Sequence, residues 1–78
     1  MNKMTELVAA IARSLVDEPD AVNVTEETEN GETVIKLRVA SDDMGKVIGK
    51  QGRIAKAIRT VVKAAATKAG TKVTVEIV

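Results

Sequence analysis

Two glycines three positions apart, in Gly49-Lys50-Gln51-Gly52, stand between an apolar pair, Val47-Ile48, and a segment that repeats basic residues at helical intervals: Arg53, Lys56, Arg59 and Lys63. A loop bracketed by glycines carries no side-chain bulk at its ends. A phosphodiester backbone can therefore approach the main chain there, with Lys50 and the N-terminus of the following helix supplying positive potential. The chemistry these residues suit is the holding of a polyanion, with no sign of catalysis. The chain has neither histidine nor cysteine, so a zinc site, a Ser-His-Asp triad or a proton shuttle near neutral pH would have to be built from unusual parts. No enzyme activity, cofactor or metal is expected. The glycine bracket is also not a P-loop, because it lacks the Gly-Lys-Ser/Thr ending and the longer span.

Charge is sorted along the chain. The net charge of +1 conceals a first part, residues 1–43, with four basic and ten acidic side chains, and a second part, residues 44–78, with eight basic side chains and Glu76 alone acidic. Such asymmetry suggests a polyanion meeting the second part, with the acidic first part discouraging it from wrapping the whole surface. The plainer reading is a solvated helix face balanced by an acidic loop. At 78 residues there is room for one domain, spanning 1–78, whose core lies near the lower limit for folding unaided, so a homodimer fits the size. The lack of cysteine fits a reducing compartment. No stretch approaches the ~20 apolar residues of a membrane span, and no N-terminal run reads as a secretion signal. A cytoplasmic protein without a membrane partner is expected.

The elements that must position the glycine loop follow from periodicity. Met4, Leu7, Val8, Ile11, Leu15 and Val16 fall near one side of a helix over residues 3–16, which Asp17-Glu18-Pro19-Asp20 ends. Val22 to Thr25 alternates as a strand and runs into the polar Glu26 to Glu29, whose acidic tip is expected to be an exposed loop that repels phosphate. Asn30-Gly31 suits a two-residue type I′ turn, and Thr33 to Ala40 returns with Ile35, Leu37 and Val39 on one face and Lys36 and Arg38 on the other. Ser41-Asp42-Asp43 offers N-caps for a short helical turn through Met44 to Ile48 that stops at Gly49. Arg53 to Ala69 forms a longer helix, with Ile54, Ile58, Val61, Val62, Ala65 and Ala69 on the packing side and the basic residues opposite. Gly70 ends it, and Thr71 to Val78 is a strand turning Val73, Val75 and Ile77 to the core. The order α-β-β-α-α-β implies an α+β, two-layer fold, with a three-stranded sheet and three helices on one face.

In that context Val47-Ile48-Gly49-Lys50-Gln51-Gly52 resembles the hydrophobic-hydrophobic-Gly-x-x-Gly core of a KH domain, and the element order is that of the type II form. Ile58 stands six residues beyond Gly52, where the pattern wants an apolar residue. Ala55 departs from the larger aliphatic residue many KH domains carry, which is expected to leave the groove floor shallower. Together with the leading helix, the Asp-Glu-Pro-Asp loop and the closing Val-Thr-Val-Glu-Ile-Val, the whole chain looks like the small stand-alone bacterial KH-domain protein A family. The resemblance implies a single-stranded RNA-binding protein acting as an RNA chaperone or post-transcriptional regulator. It implies further a Jag-type KH-domain protein B as partner, and links to cell elongation and peptidoglycan homeostasis. Carried onto this chain, Gly49, Lys50, Gln51 and Gly52 would clamp the RNA backbone. Lys46, Arg53 and Lys56 would add phosphate contacts, and Val47, Ile48 and Ile54 would offer apolar surface to bases.

Several of these residues have a second reading. Val47 and Ile48 are adjacent on a short helix and cannot both face a groove, and Ile54 is equally suited to the core or to a groove or dimer contact. Arg59 and Lys63 read more naturally as solvated than as ligand-holding, and Lys36 and Arg38 either touch RNA or solubilise the sheet. The main alternative function is a protein-interaction module using the same helix surface. With no Phe, Trp or Tyr, the chain lacks the base-stacking platforms that contribute ~1–3 kcal/mol per base in single-strand binders. Weak, salt-sensitive and poorly discriminating binding is expected.

Overall fold

The structure, a computed structural model, describes residues 3–78, apart from the side chains of Lys50 and Gln51. Helix α1 (Lys3–Leu15) leads through a 3-10 turn at Pro19–Ala21 into strands β1 (Asn23–Glu29) and β2 (Glu32–Arg38), followed by the helical stretch α2 (Ser41–Ala69) and strand β3 (Val73–Ile77). The sheet order is β1-β2-β3, with β1 antiparallel and β3 parallel to β2. With α2 divided at the left-handed Gly52, this is the two-layer α+β fold in the α-β-β-α-α-β order of a type II KH domain.

Residues paired across the ladder share a face. Val24, Leu37 and Ile77 form one row and Ile35 and Val75 lie in the next, all turned toward the helices. There they meet Val8, Ala12, Val47, Ile58 and Val62 in a single buried cluster. The opposite face carries Thr25, Lys36 and Glu76 in one row. Asn30 and Gly31 have φ of 52° and 79°, the two left-handed positions that a type I′ turn requires. The acidic run 26–29 differs from the expected loose tip: it is β1 strand up to the turn, with Glu27 opposite Val34 and Thr28 opposite Thr33. Ladder hydrogen bonds belong to the main chain, and Glu27 finds a cation in Lys36 at 3.1 Å, so like charges along one strand do not prevent pairing.

Helix α1 buries Thr5, Val8, Ala9 and Ala12, while Leu7 and Ile11 are half-buried and Leu15 is exposed. The packing line is thus centred on small residues beside the large apolar stripe, because α1 is pressed against both the sheet and α2 and close approach of backbones favours alanine. At the other junction, Ser41, Asp42 and Asp43 lie inside the first turn of α2, and the N-cap position is Ala40 with no side-chain cap. Asp43 works differently from a cap. Asp43 is 1 % exposed, and its carboxylate accepts the main-chain N–H of Asp17 at 3.0 Å and of Glu18 at 3.1 Å, latching the end of α1 to the start of α2.

A straight helix of the 29 residues in α2 would be about 42 Å long, yet the longest dimension of the molecule is 34 Å. The stretch divides at Gly52, whose φ of +65° lies in the left-handed region, costly for residues other than glycine. Helical geometry runs on through Gly49, instead of stopping there, because Gly49 keeps an ordinary right-handed backbone. Beyond Gly52 the buried line is Ala55, Ile58, Val62 and Ala66, and Val61 and Ala69 are exposed. This half packs on strand β3 at the sheet's edge, which covers a narrower arc than the expected packing side.

Candidate nucleic-acid interface

The second half of α2 and strand β3 enclose an open cleft of about 570 Å³. Gly52 opens one end. Ile48 and Ile77 give apolar wall, Ala55 lies at the floor, and Lys56, Arg59, Thr60 and Lys63 run along the helical side. Helical spacing explains that side, since steps of three and four residues from Lys56 bring Arg59, Thr60 and Lys63 onto one face. Among the described residues no carboxylate lies within ion-pair distance of Lys56, Arg59 or Lys63. Arg59 reaches across, its Nε donating to the Val75 carbonyl at 3.5 Å, a long hydrogen bond that leaves the rest of the guanidinium to the cleft.

The residues singled out in sequence separate into distinct places. Ile48, 54 % exposed, Gly52 and Lys56 line the cleft. Val47 is wholly buried in the core and Ile54 packs half-buried against it, so of the adjacent pair Val47-Ile48 only the second presents surface. Gly49 has nothing within 4 Å of where a Cβ would stand. No neighbour and no left-handed φ requires glycine there, and the space is open to an incoming chain. Arg53 is exposed but outside the cleft lining. Lys46 pairs with Asp17 at 3.1 Å. The side chains of Lys50 and Gln51 lie outside the described residues.

Sequence does not single out Thr60 and offers Ile77 only as a core-facing residue; Arg59 and Lys63 are solvent-exposed, as their pattern suggests, and the fold sets them along the cleft. The signal for Thr60 and Lys63 was their helical phase with Lys56. Ile77 gave none, because alternation in β3 distinguishes core-facing from outward residues and not the end of the strand that meets a cleft. Ala55 also reverses an expectation: a methyl group at the floor occupies less room than a larger aliphatic side chain, so it deepens the cleft. On the outer sheet face, Lys36 pairs with the Glu27 carboxylate. The hydrogen bond to Glu27, then its charge and those of Glu76 and Glu29, hold the ammonium pKa above its ordinary 10.5.

Comparison with known proteins gives a consistent result. A family model described as KhpA/KhpB, KH domain, matches residues 5–77. Similar proteins include RNA-binding protein KhpA of Clostridium acetobutylicum, 60 % identical over 75 residues and covering 96 % of this chain and 100 % of that protein. RNA-binding protein KhpA of Clostridium perfringens is 61 % identical with the same coverage, and that of Treponema pallidum is 52 % identical over 73 residues, 94 % of this chain and 91 % of its own. In fold, the chain is similar to Era from Aquifex aeolicus bound to GDP and AlF4−, with a TM-score of 0.62 at 23 % identity over 96 % of this chain. It spans 29 % of that Era chain, so the likeness concerns one part of a larger protein. The chain described here belongs to the KhpA/KhpB KH-domain family.

Proposed function

We propose that this chain is a single KH domain that binds single-stranded RNA, with the main chain of residues 49–52 as the clamp and the cleft beside it as the seat for bases. The observation that carries the proposal is the cleft itself, with three cations that have no acidic partner among the described residues running away from the left-handed Gly52. KH loops hold about four nucleotides by their backbone and turn the bases into a groove. Here Ile48 and Ile77 supply apolar contact, and Lys56 and Lys63 act as compact charges. Arg59 adds a planar fork that suits phosphate or a base edge. The RNA-binding names of the KhpA relatives support the same ligand. Without aromatic platforms the isolated domain binds weakly, at about micromolar or weaker affinity, and avidity from a second module strengthens it. Family resemblance adds a cytoplasmic RNA chaperone or regulator without enzymatic activity, paired with a KH-domain protein B and tied to cell elongation and peptidoglycan homeostasis.

An NMR titration with single-stranded oligoribonucleotide tests the clamp. The amides of residues 49–52 and those lining the cleft shift together if the proposal holds, and the shifts fade as salt is raised. Movement confined to the outer sheet face, with those amides still, overturns it. A second reading, self-association through the same helix, is favoured by Val61, which lies 40 % exposed on α2. The double substitution Lys50→Asp, Gln51→Asp separates the two. Lost RNA binding at unchanged oligomer size supports the clamp, and lost association supports the second reading.

A further inference from the structure

The cleft does not end at Lys63. The same lysine lines a second hollow of about 330 Å³, which continues over Thr67 toward the end of α2 and is bounded by Thr71 and Lys72 ahead of β3 and by Glu32 at the start of β2. Positions 56, 60, 63 and 67 step by four, three and four residues, so they form one unbroken face. From Gly52 to Thr67 that face measures about 22 Å. Its far end is held firmly. Left-handed Gly70 lets its own N–H return to the Thr67 carbonyl at 3.1 Å and the Thr71 N–H to the Ala66 carbonyl at 3.0 Å, and the Thr33 N–H reaches the Lys72 carbonyl at 3.2 Å.

The chemistry changes along this trough. The part near Gly52 has exposed isoleucine for bases to rest on. The part beyond Lys63 has hydroxyls and a second lysine. Threonine hydroxyls both donate and accept, as ribose 2′-hydroxyls do, and lysine suits phosphate. Glu32 is the opposing charge. Its Oε1 stands 3.9 Å from Lys72 Nζ with both side chains well exposed, a loose pair that a phosphate oxygen can displace.

Resting on the RNA reading above, we propose that the nucleic-acid track runs past the four-nucleotide clamp into this second hollow. Lys63, Thr67, Thr71 and Lys72 there hold the sugar and phosphate of one or two further nucleotides. The extension adds affinity without base preference, since aliphatic hydroxyls and ammonium groups in an open hollow do not distinguish the four bases as a bidentate pair would.

The test compares random-sequence RNA of four and six residues on the full chain and on its Thr67→Glu variant, at low salt. Six residues offer three registers to a four-residue site, so chance alone gives about a threefold gain. The expected gain for the unaltered chain is about tenfold or more, and the variant, checked for intact fold by circular dichroism, returns to about threefold with its tetramer affinity kept. Lys72→Gln lowers the salt slope by about 0.7 for the hexamer only. A gain no greater than register counting in the unaltered chain, or an equal gain in the variant, overturns the extension while leaving the clamp intact. Loss of tetramer affinity in the variant also overturns it, by placing Thr67 within the clamp. No binding at either length removes the clamp and the extension together.

Discussion

The outer face of the sheet and the α2–β3 cleft both carry rows of charged side chains, but they use them in opposite ways. On the sheet, Lys36 sits opposite Thr25 and Glu76 and bonds Glu27 at 3.1 Å, so cation and carboxylates answer each other within the chain. In the cleft, Lys56, Arg59 and Lys63 line a hollow with no carboxylate in ion-pair range among the described residues. A count of charges cannot tell these surfaces apart. Pairing can, and it gives the acidic first part of the chain a structural role and the basic second part a surface whose charge remains for a ligand.

If that division is right, the sharpest break comes from the acid most deeply committed to structure. Asp43 accepts two main-chain N–H groups from residues 17 and 18. Each such hydrogen bond to a charged group contributes roughly 1.5–3 kcal/mol, somewhat less here because Asp17 and Glu18 are themselves exposed. Asp43→Ala should therefore cost about 2–4 kcal/mol, a large share of the 5–15 kcal/mol by which domains are stable. Chemical denaturation checks it. An unchanged midpoint, or a loss of RNA affinity at unchanged stability, would move Asp43 from the structural side of the comparison to the functional one.

The next largest effect lies on the other surface. The double substitution Lys56→Glu, Lys63→Glu removes two exposed charge contacts, each contributing about 0.7–1 kcal/mol, so RNA affinity should fall about tenfold to thirtyfold. Stability should stay within about 0.5 kcal/mol, as for exposed sites that pack against nothing. Fluorescence anisotropy and thermal melting read the two quantities. A destabilised variant with undiminished affinity would show that the cleft cations hold the fold together instead.

The fold was largely readable from residue pattern, because its elements follow from period and punctuation: Asn30-Gly31 for the hairpin, Gly70 for the helix end, alternation in residues 73–77. The places of Gly52 and Lys56 along the cleft were readable for the same reason. What escaped was whatever depends on tertiary placement. Nothing in the local sequence says that Asp43 reaches across to the main chain at 17 and 18, or that Ile77 meets a cleft. A helical wheel places Val61 on the packing side of α2 because it assumes a broad partner, whereas this half of the helix meets the edge of the sheet and leaves Val61 exposed. The charges of Glu26 to Glu29 argue against a strand, and only the placement of Lys36 beside Glu27 shows how the strand accommodates them.

The smallest expected effect tests the paired side of the comparison by pH. Lys36 is held above its ordinary 10.5 chiefly by the hydrogen bond to Glu27 and then by that residue's charge. A raised folded-state pKa means the folded chain binds the proton more tightly than the unfolded one. The stabilisation is then fully present below 10.5 and is lost as pH climbs through the higher folded value. Because the pair is solvent-exposed, screening keeps the effect slight, and salt weakens it further. Melting curves of the unaltered chain and of Glu27→Gln should differ by a small, constant amount from neutral pH up to about 10, and converge above that. A difference that instead grows in alkali would mean the carboxylate stabilises the strand through something other than the lysine. The outer face could then no longer serve as the self-neutralised counterpart of the cleft.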